Sequence, residues 1–117
     1  IAVYESIMNY KLLIIIASGD REKVLTALMY AKNNIKYGWI TEVQVIFFGP
    51  SENLLVSDTD VTTSAAELAN LSQPLACQLL SDRDNITDRI ERLGIEVDYV
   101  GTIIADFLRD GYIPMVW

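Results

Sequence analysis

The side chain best suited to covalent chemistry is Cys77, the one cysteine among 117 residues. It closes the apolar run Pro74-Leu75-Ala76-Cys77 and precedes Gln78 to Arg83, which reads as a short helical turn. A thiol at a helix start lies near unpaired N–H groups and the positive end of a dipole, and both favour the nucleophilic thiolate. The competing account is a small buried hydrophobe among Leu75, Ala76, Leu79 and Leu80. One cysteine permits no intramolecular disulfide. Histidine is absent, which removes the usual general base, the common zinc ligand and any Ser-His or Cys-His pair, so hydrolase readings lose most of their support.

Other groups imitate sites less well. Backbone N–H groups of Ser18, Gly19 and Asp20 can hold an anion at a helix start, yet a single glycine is not a phosphate loop, and a tight turn with an aspartate cap explains the same residues. Glu96 and Asp98 stand two apart on an expected strand and share a face, as a metal or acid/base pair would. Solvated edge-strand carboxylates account for them better, and neither a metal nor a cofactor is expected. Trp39, Tyr99, Tyr112 and Trp117 can leave apolar surface for self-association, with core packing as the rival account.

The elements that must position these residues follow from hydrophobic patterning. Lys11 to Ala17 is a continuous β-rich run ending in Ser18-Gly19-Asp20, as expected of a central parallel strand covered on both faces. Asp20 caps a helix in which Val24, Leu25, Leu28, Ala31 and Ile35 recur at helical spacing, ending near Gly38. Glu42 to Phe48 is a second strand, stopped by Gly49-Pro50. A helical pattern lies between Asp58 and Leu71, with Ser64 and Glu67 at capping-box spacing. Pro74 to Cys77 is a third strand. Asn85 restarts a helix carrying Ile86, Ile90 and Leu93, and Gly94 is placed for a left-handed cap.

Ile95 to Val100 alternates apolar residues with Glu96 and Asp98, the pattern of an edge strand with one wet face. Gly101-Thr102 opens a last helix bearing Ile103, Ile104, Phe107 and Leu108, closed by Gly111. Tyr112 to Trp117 is a final strand, which Pro114 confines to an edge because it lacks an N–H. Five strands alternating with helices predict a three-layer α/β/α sandwich with a mainly parallel sheet. In such a sheet ligands gather at the carboxyl ends of the strands. The candidate rim is therefore Ser18-Gly19-Asp20, Gly49-Pro50-Ser51, Cys77-Gln78 and Gly101-Thr102.

Bulk properties narrow the setting. Residues 8–117 are read as a single domain, since 51% hydrophobic composition suffices for one core. The longest apolar run, Leu12 to Ala17, is too short to cross a bilayer. A net charge of -7 repels phosphate backbones and anionic lipid, so neither nucleic acid nor membrane is an expected partner. The first seven residues carry no Lys or Arg and lead straight into Met8. They lack the basic start of a secretory signal, so the expected compartment is the cytoplasm, and they are read as an N-terminal extension or leader.

In three stretches the sequence resembles the DsrE/DsrF-like family, which includes sulfur-relay proteins of the DsrE/TusD type. One is Lys11 to Asp20 opening into a long helix. Another is Pro74-Leu75-Ala76-Cys77, followed six residues later by Arg83, where relay members often carry an Arg-Gly pair. The third is Glu96-Val97-Asp98-Tyr99-Val100-Gly101-Thr102 through Asp110-Gly111-Tyr112-Ile113-Pro114. The resemblance implies a parallel five-stranded sheet in the order 4-3-2-1-5 and a homo-oligomer, commonly a dimer, trimer or hexamer. It also implies that Cys77 accepts a sulfane sulfur as a persulfide from a donor and passes it to an acceptor protein, with Arg83 or helix-start amides stabilising its charge. Asp84-Asn85 replaces the glycine after Arg83, a turn that asparagine can sustain in left-handed geometry. Acidic Asp82 and Asp84 would oppose a thiolate if they faced Cys77. The alternative is an oligomeric small-ligand-binding or regulatory protein on the same fold with Cys77 in the core, and a purely structural assembly protein ranks third.

Overall fold

The computed structural model describes residues 10–117; the expectation of a leader over residues 1–7 lies outside them. Eleven elements follow one another: β1 (Lys11–Ile16), α1 (Arg21–Tyr37), β2 (Glu42–Phe47), α2 (Ser51–Ser57), α3 (Thr59–Leu71), β3 (Leu75–Cys77), α4 (Gln78–Arg83), α5 (Thr87–Glu91), β4 (Glu96–Asp98), α6 (Val100–Arg109) and β5 (Ile113–Val116). The strands form one sheet in the order β4-β3-β2-β1-β5, and every pairing is parallel. β1 is central because it carries no charge after Lys11 and buries Leu13, Ile14 and Ile16 completely. β4 and β5 are the edges. Glu96 and Asp98 stay in solvent on β4, and Pro114 lies on β5 opposite Leu13, with no further strand among the described residues to require its missing N–H.

The pleat divides the core in two. Leu12, Ile14, Ile16, Val45, Phe47 and Ala76 face one side, where α1, α2, α3 and α5 supply Val24, Leu28, Leu55, Val61, Leu68 and Ile90. Leu13, Ile46, Leu75 and Cys77 face the other, covered mainly by α6 through Val100, Ile103, Ile104 and Phe107, with Leu80 of α4 beside them. The sandwich is therefore unequal, with four helices on one face and chiefly one amphipathic helix on the other.

α1 starts where Asp20 accepts from the Glu22 N–H and stops where Gly38 turns left-handed at φ 65, donating to the Asn34 carbonyl. No heavy atom lies within 4 Å of a Cβ built on Gly38, so a side chain there meets only backbone strain. Gly38→Ala is accordingly expected to cost about 1 kcal/mol and to lower the melting temperature by about 4 °C. An unchanged thermal transition would show that the cap is not held in this geometry.

Several boundaries differ from those expected. α2 has no counterpart in the sequence reading: it is short, and its contiguous Leu54-Leu55-Val56 shows no helical period. α3 begins at Thr59, capped by Asp58 accepting from the Val61 N–H, so Ser64 is mid-helix and forms no capping box with Glu67. Asn85 does not open α5 but takes the left-handed conformation, φ 56, between two short helices. The last helix opens at Val100 rather than Gly101, and Tyr99, expected in the strand, is its N-cap.

Candidate functional site

The carboxyl ends of β1, β2 and β3 converge as the topology requires. Between β1 and β2 the two loops pack closely, through backbone and short side chains. The Ser51 N–H donates to the Ala17 carbonyl at 3.2 Å, the Ser51 hydroxyl donates to the Ile16 carbonyl, and a Cβ on Gly19 would lie 3.1 Å from the Pro50 Cβ. Gly49, at φ 84, turns the chain off β2 so that α2 starts immediately and its first turn points back over the rim.

That turn carries Glu52, which the sequence reading did not single out. Its side chain is 1% exposed. One carboxyl oxygen, Oε1, accepts from the Cys77 N–H at 3.1 Å, and the other, Oε2, has no hydrogen-bond partner among the described residues. Burial pushes the carboxyl up to about 7; the Cys77 N–H and Arg83 oppose this and Asp84 reinforces it. A buried carboxyl with one satisfied oxygen is costly for a domain of this size, and such groups concentrate where chemistry is done. Its only signal in the sequence is an acidic residue in a helix's first turn, which ordinarily reads as a solvated dipole partner.

Cys77 ends β3 and is the N-cap residue of α4, without a side-chain capping bond. It is 6% exposed and packs with Leu13, Ile46, Leu75 and Val100. The side chain of Arg83 is engaged elsewhere. The guanidinium pairs with Asp84 through Nε–Oδ1 at 3.0 Å and NH2–Oδ2 at 3.2 Å, and this pairing holds the Asp84 carboxyl below the usual range. Asp84 also accepts from Asn53 of α2 at 3.3 Å. Asp82 accepts from the Thr87 hydroxyl and from Gln78. Both acids that would oppose a thiolate are thus hydrogen-bonded elsewhere.

The remaining candidates scatter. Ser18 accepts the Asp20 N–H at 2.9 Å and Asp20 accepts the Glu22 N–H at 3.0 Å, so the chain's own oxygens occupy the donors an anion would need. Gly101 and Thr102 are exposed on the first turn of α6, with open space where a Gly101 side chain would point, whereas their neighbour Val100 is the residue packed in the Cys77 cluster. Among the described residues no cluster of three or more Cys, Asp or Glu is arranged to hold a metal, and no helix is long and apolar enough to cross a membrane. Among the surface clefts are two of note, and one of about 560 Å³ is lined by Asp82, Asn85, Thr87, Asp88, Arg89 and Arg92. The other, about 330 Å³, lies along α6 at Ile103, Asp106, Phe107 and Asp110. Cys77 lines neither.

Fold and rim together define a compact α/β domain with an all-parallel sheet and a buried Cys-Glu contact at its carboxyl edge. No protein-family model matches the chain, and no curated protein matches it. The architecture is shared with a conserved protein of unknown function from Bacteroides thetaiotaomicron, at 28% identity and a TM-score of 0.87, over 94% of this chain and 97% of that one. It is shared also with a protein of unknown function from Methanobacterium thermoautotrophicum, at 18% identity and a TM-score of 0.74, over 92% and 99% of the two chains.

Proposed function

We propose that this chain is a sulfur-relay protein of the DsrE/DsrF-like kind, working in the cytoplasm as a homo-oligomer. Cys77 carries a persulfide sulfur between donor and acceptor proteins. The observation that carries the reading is the buried Glu52 carboxyl held on the Cys77 N–H at a strand exit: a purely structural core gains nothing from an ionisable, half-satisfied group, and such groups concentrate where chemistry is done. With a sulfane donor such as thiosulfate, the Cys77 thiolate forms a bond to the outer sulfur. The donor's S–S bond breaks and sulfite departs with its electron pair. Discharge repeats the exchange, an acceptor thiolate taking the terminal sulfur and releasing the Cys77 thiolate. No second cysteine exists in the chain, so the acceptor is another molecule.

The 6% exposure of Cys77 favours a second reading, a small-ligand-binding or regulatory protein on the same fold in which the thiol is packing. Under it the polar cleft around Arg89 and Arg92 holds the ligand. Mass spectrometry after incubation with thiosulfate or polysulfide separates the two. The relay reading expects one added sulfur atom on Cys77, removed by a reducing thiol and absent from Cys77→Ser. No uptake, or equal uptake by the variant, overturns it.

A further inference from the structure

Lys11, Arg21, Lys32, Arg83 and Arg109 each hold a carboxylate in an ion pair. The side chains of Arg89 and Arg92 hold none, and make no hydrogen bond, among the described residues of a chain with 16 acids against 9 bases. Both line the cleft of about 560 Å³ beside α5, a volume within the range of small-molecule sites. Arg92, the C-cap of α5 in right-handed helical geometry, stands four residues after Asp88, the spacing and order at which helical neighbours pair best. They do not pair. Arg89 and Arg92 are three apart, so like charges share one side of the turn, which costs stability unless an anion lies between them. The dipole at the end of so short a helix favours a cation, but a single one would suffice.

The other groups in the cleft complement this pair. Asp82 is already committed, accepting from the Thr87 hydroxyl and from Gln78, so it forms no ion pair with either arginine. Asn85, held in left-handed geometry at the junction of α4 and α5, brings a side-chain amide with no hydrogen bond among the described residues. Asp88 is exposed and its carboxylate is likewise unpartnered among them. A guanidinium pair recognises an oxyanion through forked N–H donors. A free carboxylate close by rejects a bare polyanion and accepts an amine.

We propose that this cleft binds a small zwitterionic metabolite: Arg89 and Arg92 grip its carboxylate or phosphate, the Asn85 amide adds a donor, and Asp88 receives its amine. A zwitterion also suits the field of the whole chain, whose net charge of -7 repels ligands that are only anionic. The inference takes over the cleft of the second reading above and gives its ligand a chemical class. It asks nothing of Cys77 or Glu52, neither of which lines the cleft.

The test is an amide NMR titration of the whole chain at constant ionic strength with phosphoethanolamine and with β-alanine, a phosphate and a carboxylate each joined to an amine. At least one should give saturable shifts at the amides from Asn85 to Gly94, with a dissociation constant of about 1 mM, and the tighter of the two tells which oxyanion the arginines prefer. Replacing both arginines, Arg89→Gln with Arg92→Gln, should weaken binding about 10-fold or more. Asp88→Asn should weaken both zwitterions and spare inorganic phosphate, while Arg109→Gln on α6 should change nothing. These side chains are exposed, and an unchanged spectrum elsewhere shows each variant to be folded. No saturable shift up to about 50 mM of either probe, the same shifts from sodium chloride, or undiminished binding by the double variant overturns the proposal. Sulfur uptake reads Cys77 alone, so a failed titration leaves the relay reading standing, and absent uptake leaves the cleft standing.

Discussion

Glu52→Gln is expected to abolish a loss of stability that the wild-type protein suffers as pH rises from about 4 to about 8. The carboxyl, 1% exposed, is raised from its ordinary value to about 7, chiefly by burial. Between those two values the folded chain holds a proton that the unfolded chain has released. Raising the pH therefore favours unfolding. The stabilisation from the bound proton is complete below the unfolded value and gone once pH passes through the folded one. Its size is about 3 kcal/mol, a large share of the 5–15 kcal/mol typical of a domain. Glutamine cannot ionise, so the variant's stability should be flat across this window and exceed that of wild type at the alkaline end. Urea midpoints at several pH values give the comparison, and a flat wild-type profile would mean the carboxyl has access to water or an unseen partner.

Phe47→Ala is expected to destabilise the fold by about 3–5 kcal/mol. Phe47 is fully buried in the larger half of the core, with Ile16 and Ala76 as its register partners on the neighbouring strands. Ala76 is too small to fill the space a lost ring would leave, and a cavity between strand and helices collapses poorly, so both the transfer and cavity contributions are felt. The adjacent Phe48 is 38% exposed, and Phe48→Ala should cost less than about 1 kcal/mol. Urea unfolding with an unchanged m-value measures both. Equal losses from the two substitutions would mean that the pleat assigns these rings to faces other than those described.

Where a residue's role depends on its near neighbours, the sequence was a good guide. Gly38 closes α1 in left-handed geometry because few other residues tolerate it. Asp20 caps α1 because its side chain reaches the N–H two residues on. The outer places of β4 and β5 follow from charges that need water and a proline that cannot donate. Short elements were less legible. α2 has seven residues, too few for a helical period to emerge, and without it the cap of α3 was sought at Ser64 instead of Asp58.

The candidate site divides along the same line. Patterning and composition by themselves determined the alternation of strands and helices, the central β1, the two edges, and the position of Cys77 at a strand exit, since each depends on residues a few places apart. Tertiary structure alone decided that Cys77 is 6% exposed, that Arg83 turns to Asp84, and that the buried Glu52 carboxyl accepts from the Cys77 N–H. Cys77 and Glu52 are 25 residues apart. No local preference can record a contact made only when β2 and β3 pair and the Gly49-Pro50 turn folds α2 back across their ends.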